Sequence, residues 1–78
     1  MTSTDEARAL LAEATGRPCD GVPENAKVAR FPPWDSLAHV RLVLSLEERL
    51  GRSLSSEEVV GIQSLDDLAI LLERDEGF

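Results

Sequence analysis

Seventy-eight residues with one cysteine, Cys19, suffice for one small domain and for no intramolecular disulfide. Fifteen Asp and Glu against eight Lys and Arg give a formal charge of −7 and a pI near 4.5, which repels phosphate backbones and argues against a nucleic-acid partner. The opening Met1-Thr2-Ser3-Thr4-Asp5-Glu6 is polar and acidic with no long apolar run behind it, so neither a signal peptide nor a membrane span is expected and the chain fits the cytoplasm.

A chain of this length buries only about 60–65% of its unfolded surface, so its core must be economical. Tyrosine is absent and the aromatic residues are Phe31, Trp34 and Phe78. A core built from Leu, Val, Ile and Ala points to a small helical bundle.

The first predicted helix opens at Ser3, which has capping-box spacing to Glu6, or at Thr4. Ala7, Leu10, Leu11 and Ala14 follow the spacing of one buried helical stripe. Gly16 stops the helix and Pro18 lies just beyond. From Arg17 to Trp34 no period holds. Four prolines (Pro18, Pro23, Pro32 and Pro33), with Gly21 and Asn25, break any helix or central strand there. The segment reads as a long loop with at most one short turn, since no other segment offers a pairing strand. Val22, Val28 and Phe31 are its candidate staples to the bundle.

The second helix is expected from Ser36 to Leu50, with Asp35 as N-cap and Gly51 as its stop. At about 100° per residue its apolar positions divide into two arcs. Leu42, Val43, Leu46 and Leu50 share one, and Leu37, Val40 and Leu44 the other, with Glu47 between them. A small bundle buries one stripe per helix. The second arc lies below Ser36 and is read as a contact surface, unless the short third helix covers it. Ser55-Ser56-Glu57-Glu58 forms a further capping box, opening a helix through Val59 and Val60 that Gly61 ends. Ser64-Leu65-Asp66-Asp67 starts the last helix, which carries Leu65, Leu68, Ala69, Leu71 and Leu72. Its acidic pair sits in the first turn, where the helix dipole favours it.

A serine at the first turn of a helix has unpaired N–H donors beside it and a dipole that favours an added anion. Ser36 therefore suits a phosphodiester. Asp35-Ser36-Leu37, followed by Val40, Leu42-Val43, Leu46-Glu47-Glu48 and Leu50-Gly51, resembles the acyl carrier proteins. The order of elements extends the resemblance over nearly the whole chain: a first helix, a long proline-bearing loop, the Asp-Ser-Leu helix, a short third helix ending near Ile62 and a final helix. Asp-Ser-Leu alone is a weak signal, and its place at a helix start with the matching helix behind it is a strong one.

The resemblance implies an all-α, four-helix carrier domain over residues 1–78, a monomer rather than an enzyme. It implies that Ser36 receives 4′-phosphopantetheine from coenzyme A through a phosphopantetheinyl transferase, and that the arm's thiol then holds an acyl, hydroxyacyl or aminoacyl thioester. The partners implied are that transferase, an acyl- or aminoacyl-loading enzyme and a downstream synthase or transferase. The expected recognition surface is Asp35, Leu37, Val40, Arg41, Leu44, Glu47 and Glu48, with Asp35 both N-cap and docking acid. Carriers of fatty acid synthesis usually hold acidic residues where this chain has Ala38, Arg41 and Arg49, and Trp34 is unlike them. The chain is closer to free-standing carriers of specialised biosynthetic pathways, its partners chosen partly through Arg41. Two alternatives stand beside this reading: a peptidyl or aminoacyl carrier, and an acidic helical docking module that never bears a cofactor.

Other signals are weaker. Ser36 and His39 are three apart, but neither a nucleophile elbow nor an oxyanion loop accompanies them. His39 reads instead as a half-buried polar residue at the helix start. Cys19 reads as an ordinary free thiol, and one His with one Cys does not make a zinc site. Glu57-Glu58 and Asp66-Asp67 lack calcium-loop spacing. Trp34 is expected to pin the loop against the helix, rather than to flank the arm.

Overall fold

A computed structural model describes residues 3–76. Helix α1 spans Ser3–Thr15, α2 Ser36–Leu50, α3 Ser56–Gly61 and α4 Leu65–Glu76, with a 3₁₀ turn at Cys19–Gly21 between α1 and α2. The described residues contain no strand, and the fold is the expected small four-helix bundle. No helix among them is long and apolar enough to cross a membrane.

Local chemistry fixes the helix ends. Ser3 and Thr4 both lie inside α1, so neither caps it; the position before Ser3 is outside the described residues. At the other end Gly16 adopts φ +71°. Its N–H donates to Glu13 O at 3.4 Å and that of Arg17 to Ala12 O at 3.0 Å, the paired bonds that close a helix around a left-handed residue. Gly51 ends α2 in the same left-handed conformation, at φ 71°, its N–H donating to Glu47 O. Ser55 and Glu58 form the expected reciprocal capping box on α3.

Helix α1 packs against both α2 and α4. The core joins Ala7, Leu11 and Ala14 of α1 to Leu42 and Leu46 of α2 and to Leu65, Leu68 and Leu72 of α4, all buried. Leu10, Leu50 and Leu71 are partly buried against it. Ala12 is buried as well, outside the stripe expected from spacing.

The long loop is more ordered than its composition suggests. Val22 and Phe31 are buried and staple it as expected, with Ala26 beside them. Val28 is not a staple: it is 39% exposed, because its backbone is occupied in an isolated antiparallel bridge, Lys27 to Ser64, that turns the side chain outward. Val28 N–H donates to Gln63 O and Leu65 N–H to Ala26 O, both at 2.9 Å. The pairing partner is thus the α3–α4 connection, a segment too short to read as a strand.

Helix α3 buries no residue fully. Polar contacts hold it instead. Arg52 donates to both carboxylate oxygens of Glu58, at 3.1 and 2.7 Å, and His39 Nε2–H donates to Val59 O at 3.0 Å.

Candidate functional site

The approach to α2 is built residue by residue. Pro32 and Pro33 occupy the centre of a tight turn, which Trp34 N–H closes onto Phe31 O at 2.9 Å. Trp34 is buried, 2% exposed. Asp35 then takes an extended backbone, φ −93° and ψ −173°, and its Oδ1 accepts from Ala38 N–H at 2.9 Å. Asp35 is therefore the N-cap, as expected, and Ser36 is the first helical residue.

That division of labour leaves the Ser36 hydroxyl free. Ser55 and Ser64 use their Oγ atoms to cap α3 and α4, accepting from Glu58 N–H and Asp67 N–H, each at 3.1 Å. Ser36 is exposed, and its hydroxyl makes no hydrogen bond among the described residues. Ser56 occupies the equivalent first position of α3 and is also exposed, but on a six-residue helix.

Below Ser36, the second apolar arc is uncovered. Leu37, Val40 and Leu44 are 59%, 56% and 60% exposed, so α3 does not shield them. The charges around this stripe differ in how far they are engaged. Arg41 is exposed and makes no ion pair among the described residues, and Glu48 is exposed. Glu47 is half-buried, and its Oε2 accepts from Leu54 N–H at 2.7 Å, bracing the α2–α3 connection. Arg49 reaches Glu6 of α1 at 2.9 Å. Ala38 is buried at 4%, so that position sets packing rather than surface charge.

No protein-family model matches this chain, and no curated protein is significantly similar to it.

Beside Ser36 lies an open groove of about 900 Å³, lined by Lys27, Val28 and Ala29 from the loop, Trp34 to Ser36 and His39 from the start of α2, and residues from Val59 to Asp67. The Lys27–Ser64 bridge ties its two banks together. On its inner side Trp34 Nε1–H donates to His39 Nδ1 at 3.1 Å, and the two rings stack with centroids 6.1 Å apart. With Nδ1 accepting, Nε2 carries the proton that goes to Val59 O. His39 is thus committed through both nitrogens to structure, which leaves no basic nitrogen for Ser36.

Sequence reasoning missed this groove. The one available signal was the Val59-Val60 pair, since a one-and-a-half-turn helix cannot turn two adjacent side chains to the same core; Val60 is 69% exposed.

The residues around Ser36 fit a phosphopantetheine. The hydroxyl is exposed, the first N–H groups of α2 lie beside it, and Lys27 is a cation lining the same groove. The groove presents apolar side chains together with the amide of Gln63 and the hydroxyl of Ser64.

Proposed function

We propose that this chain is an acyl carrier protein that bears 4′-phosphopantetheine on Ser36 and passes a thioester-bound acyl, hydroxyacyl or aminoacyl group between separate biosynthetic enzymes. The observation that carries the reading is the free, exposed hydroxyl of Ser36 at the head of a fifteen-residue helix whose cap is supplied by Asp35. In the modification step an Oγ–P bond forms and the pyrophosphate P–O bond of coenzyme A breaks. Adenosine 3′,5′-bisphosphate leaves, and the serine proton goes to a base of the transferase. When bound, the cofactor supplies the thiol that holds the cargo.

The chain's own residues present and shield that arm. Asp35 holds the first turn of α2 in place through its bond to Ala38 N–H. Leu37, Val40 and Leu44 give the transferase and the later enzymes an apolar contact, with Arg41 and Glu48 at its edges. Glu47 is the least available member of this surface, because it is engaged with Leu54. With Arg49 drawn to Glu6, Arg41 is the positive charge left to select partners.

The uncovered stripe also favours a second reading, a docking module without cofactor. The two part on Ser36→Ala, which abolishes carrier function and leaves docking intact. Incubation with coenzyme A and a phosphopantetheinyl transferase, followed by peptide mass mapping, tests the carrier reading: the added group must fall on the peptide containing Ser36.

A further inference from the structure

The carrier reading of Ser36 leaves open where the arm and its cargo lie. We infer that the groove beside Ser36 holds the arm and a short acyl group against the outside of the bundle, while Trp34 and His39 shut the cargo out of the core. This rests on the carrier reading, and its test separates the two.

The groove has the capacity. Its volume of about 900 Å³ is within the range of roughly 300–1,000 Å³ typical of small-molecule sites. It is continuous with the attachment point, because Ser36 is itself one of its lining residues. Val28 and Val60 lie on its banks and are 39% and 69% exposed. An occupant tethered at Ser36 would cover that apolar surface, and Lys27 brings a cation to the same groove.

The inward route is closed. Trp34 belongs both to the groove lining and to the hydrophobic core. Its N–H is held by His39, and His39 in turn holds Val59 O, so one continuous contact runs from the loop through α2 to α3. Beyond it the core is filled: Leu42, Leu46, Leu65 and Leu68 are each 0% exposed. Such an interior admits a chain only by opening space among packed side chains. Here that also means breaking both bonds of His39 and orphaning the Trp34 indole N–H. A short acyl group in the groove disturbs neither. This geometry therefore assigns the acyl group to the groove rather than the core, and any length of chain that outruns the groove is left in solvent.

The test is methyl NMR on protein loaded with acetyl, butyryl, octanoyl or dodecanoyl arms from the matching acyl-coenzyme A, with loading confirmed by intact mass. The expected result is that Val28 and Val60 methyl resonances shift for every cargo, while those of Leu46 and Leu68 stay fixed as the chain lengthens. In His39→Ala, octanoyl loading should move Leu46 and Leu68. Should that variant fail to fold, Trp34→Phe, which removes the indole donor together with part of the ring, reads the same closure against its own unloaded form. Shifts at Leu46 and Leu68 that grow with chain length in the native protein would overturn the inference, as would unmoved Val28 and Val60. If no mass is gained, the carrier reading fails instead. The groove is then read on Cys19→Ser/Ser36→Cys alkylated with the same chains, with the same two patterns deciding it.

Discussion

His39 Nε2–H donates to the carbonyl oxygen of Val59 across 3.0 Å, twenty residues along the chain, and so ties the start of α2 to the end of α3. Because α3 buries no residue fully, this bond and the Arg52–Glu58 contact replace a packed face. A helix held this way should be among the first parts of the molecule to open.

Removing His39 tests that linkage. His39→Ala leaves the Trp34 indole N–H without a partner and the Val59 carbonyl with the Ile62 N–H alone, at 3.4 Å, and the expected loss is about 1–3 kcal/mol in all. Urea unfolding followed by Trp34 fluorescence reads it, and hydrogen exchange should show α3 deprotected first. An unchanged midpoint would contradict the structural role of His39.

Glu58 gives the pH dependence. Hydrogen bonds from Arg52, with support from the Ser55 backbone N–H, lower its pKa from 4.5 to about 2. A carboxyl whose folded pKa is depressed stabilises the fold above its unfolded value, and that contribution is lost as pH falls through the folded one. The loss should therefore run from about pH 4.5 down to about pH 2. Other carboxylates titrate in the same window, so the measurement is a difference. The acid-induced drop in stability should be smaller in Glu58→Gln than in the native protein, and equal drops would remove the Arg52 contact from the account.

At Asp35, capping and docking separate cleanly. Asp35→Ala should cost about 1 kcal/mol through the lost bond to Ala38 N–H. Asp35→Asn keeps an accepting oxygen and removes the charge, so thermal stability should stay near native while the rate of phosphopantetheine transfer falls. A normal rate in Asp35→Asn would restrict the residue to capping.

The two arcs of α2 should respond oppositely to substitution. Leu46→Ala removes a fully buried side chain and should cost about 2–5 kcal/mol. Leu44→Asp and Arg41→Glu alter exposed positions and should stay within about 0.5 kcal/mol of native stability. Their effect is expected in slower transfer or slower handover to partner enzymes. Charge reversal at Arg41 that leaves handover by the cognate enzyme unchanged would end its role in partner selection.

Periodicity and punctuation made most of this fold legible. The 3.6-residue spacing of Leu42 and Leu46, the acid before Ser36 and the glycine at position 51 placed α2 to the residue. Local chemistry fixes such features, so local sequence reveals them. What escaped depends on long-range contacts. The Lys27–Ser64 bridge involves one residue from each of two irregular segments and has no alternation to reveal it. The His39–Val59 bond joins a side chain to a backbone carbonyl, which carries no residue signature. The engagement of Arg49 by Glu6 follows from the packing of α1 on α2, and turns one of two apparent surface cations into a brace between helices. The groove beside Ser36 is the sum of these contacts.

Attachment at Ser36 is decided by intact mass after incubation with coenzyme A and a permissive phosphopantetheinyl transferase, for the native chain, Ser36→Ala and Ser56→Ala. Ser56 is the matched control, exposed at the first position of α3 as Ser36 is at that of α2. One phosphopantetheine is expected on the native chain and on Ser56→Ala, and none on Ser36→Ala. Modification that survives in Ser36→Ala, or no modification of any variant while a known carrier is modified in the same tube, would contradict that attachment.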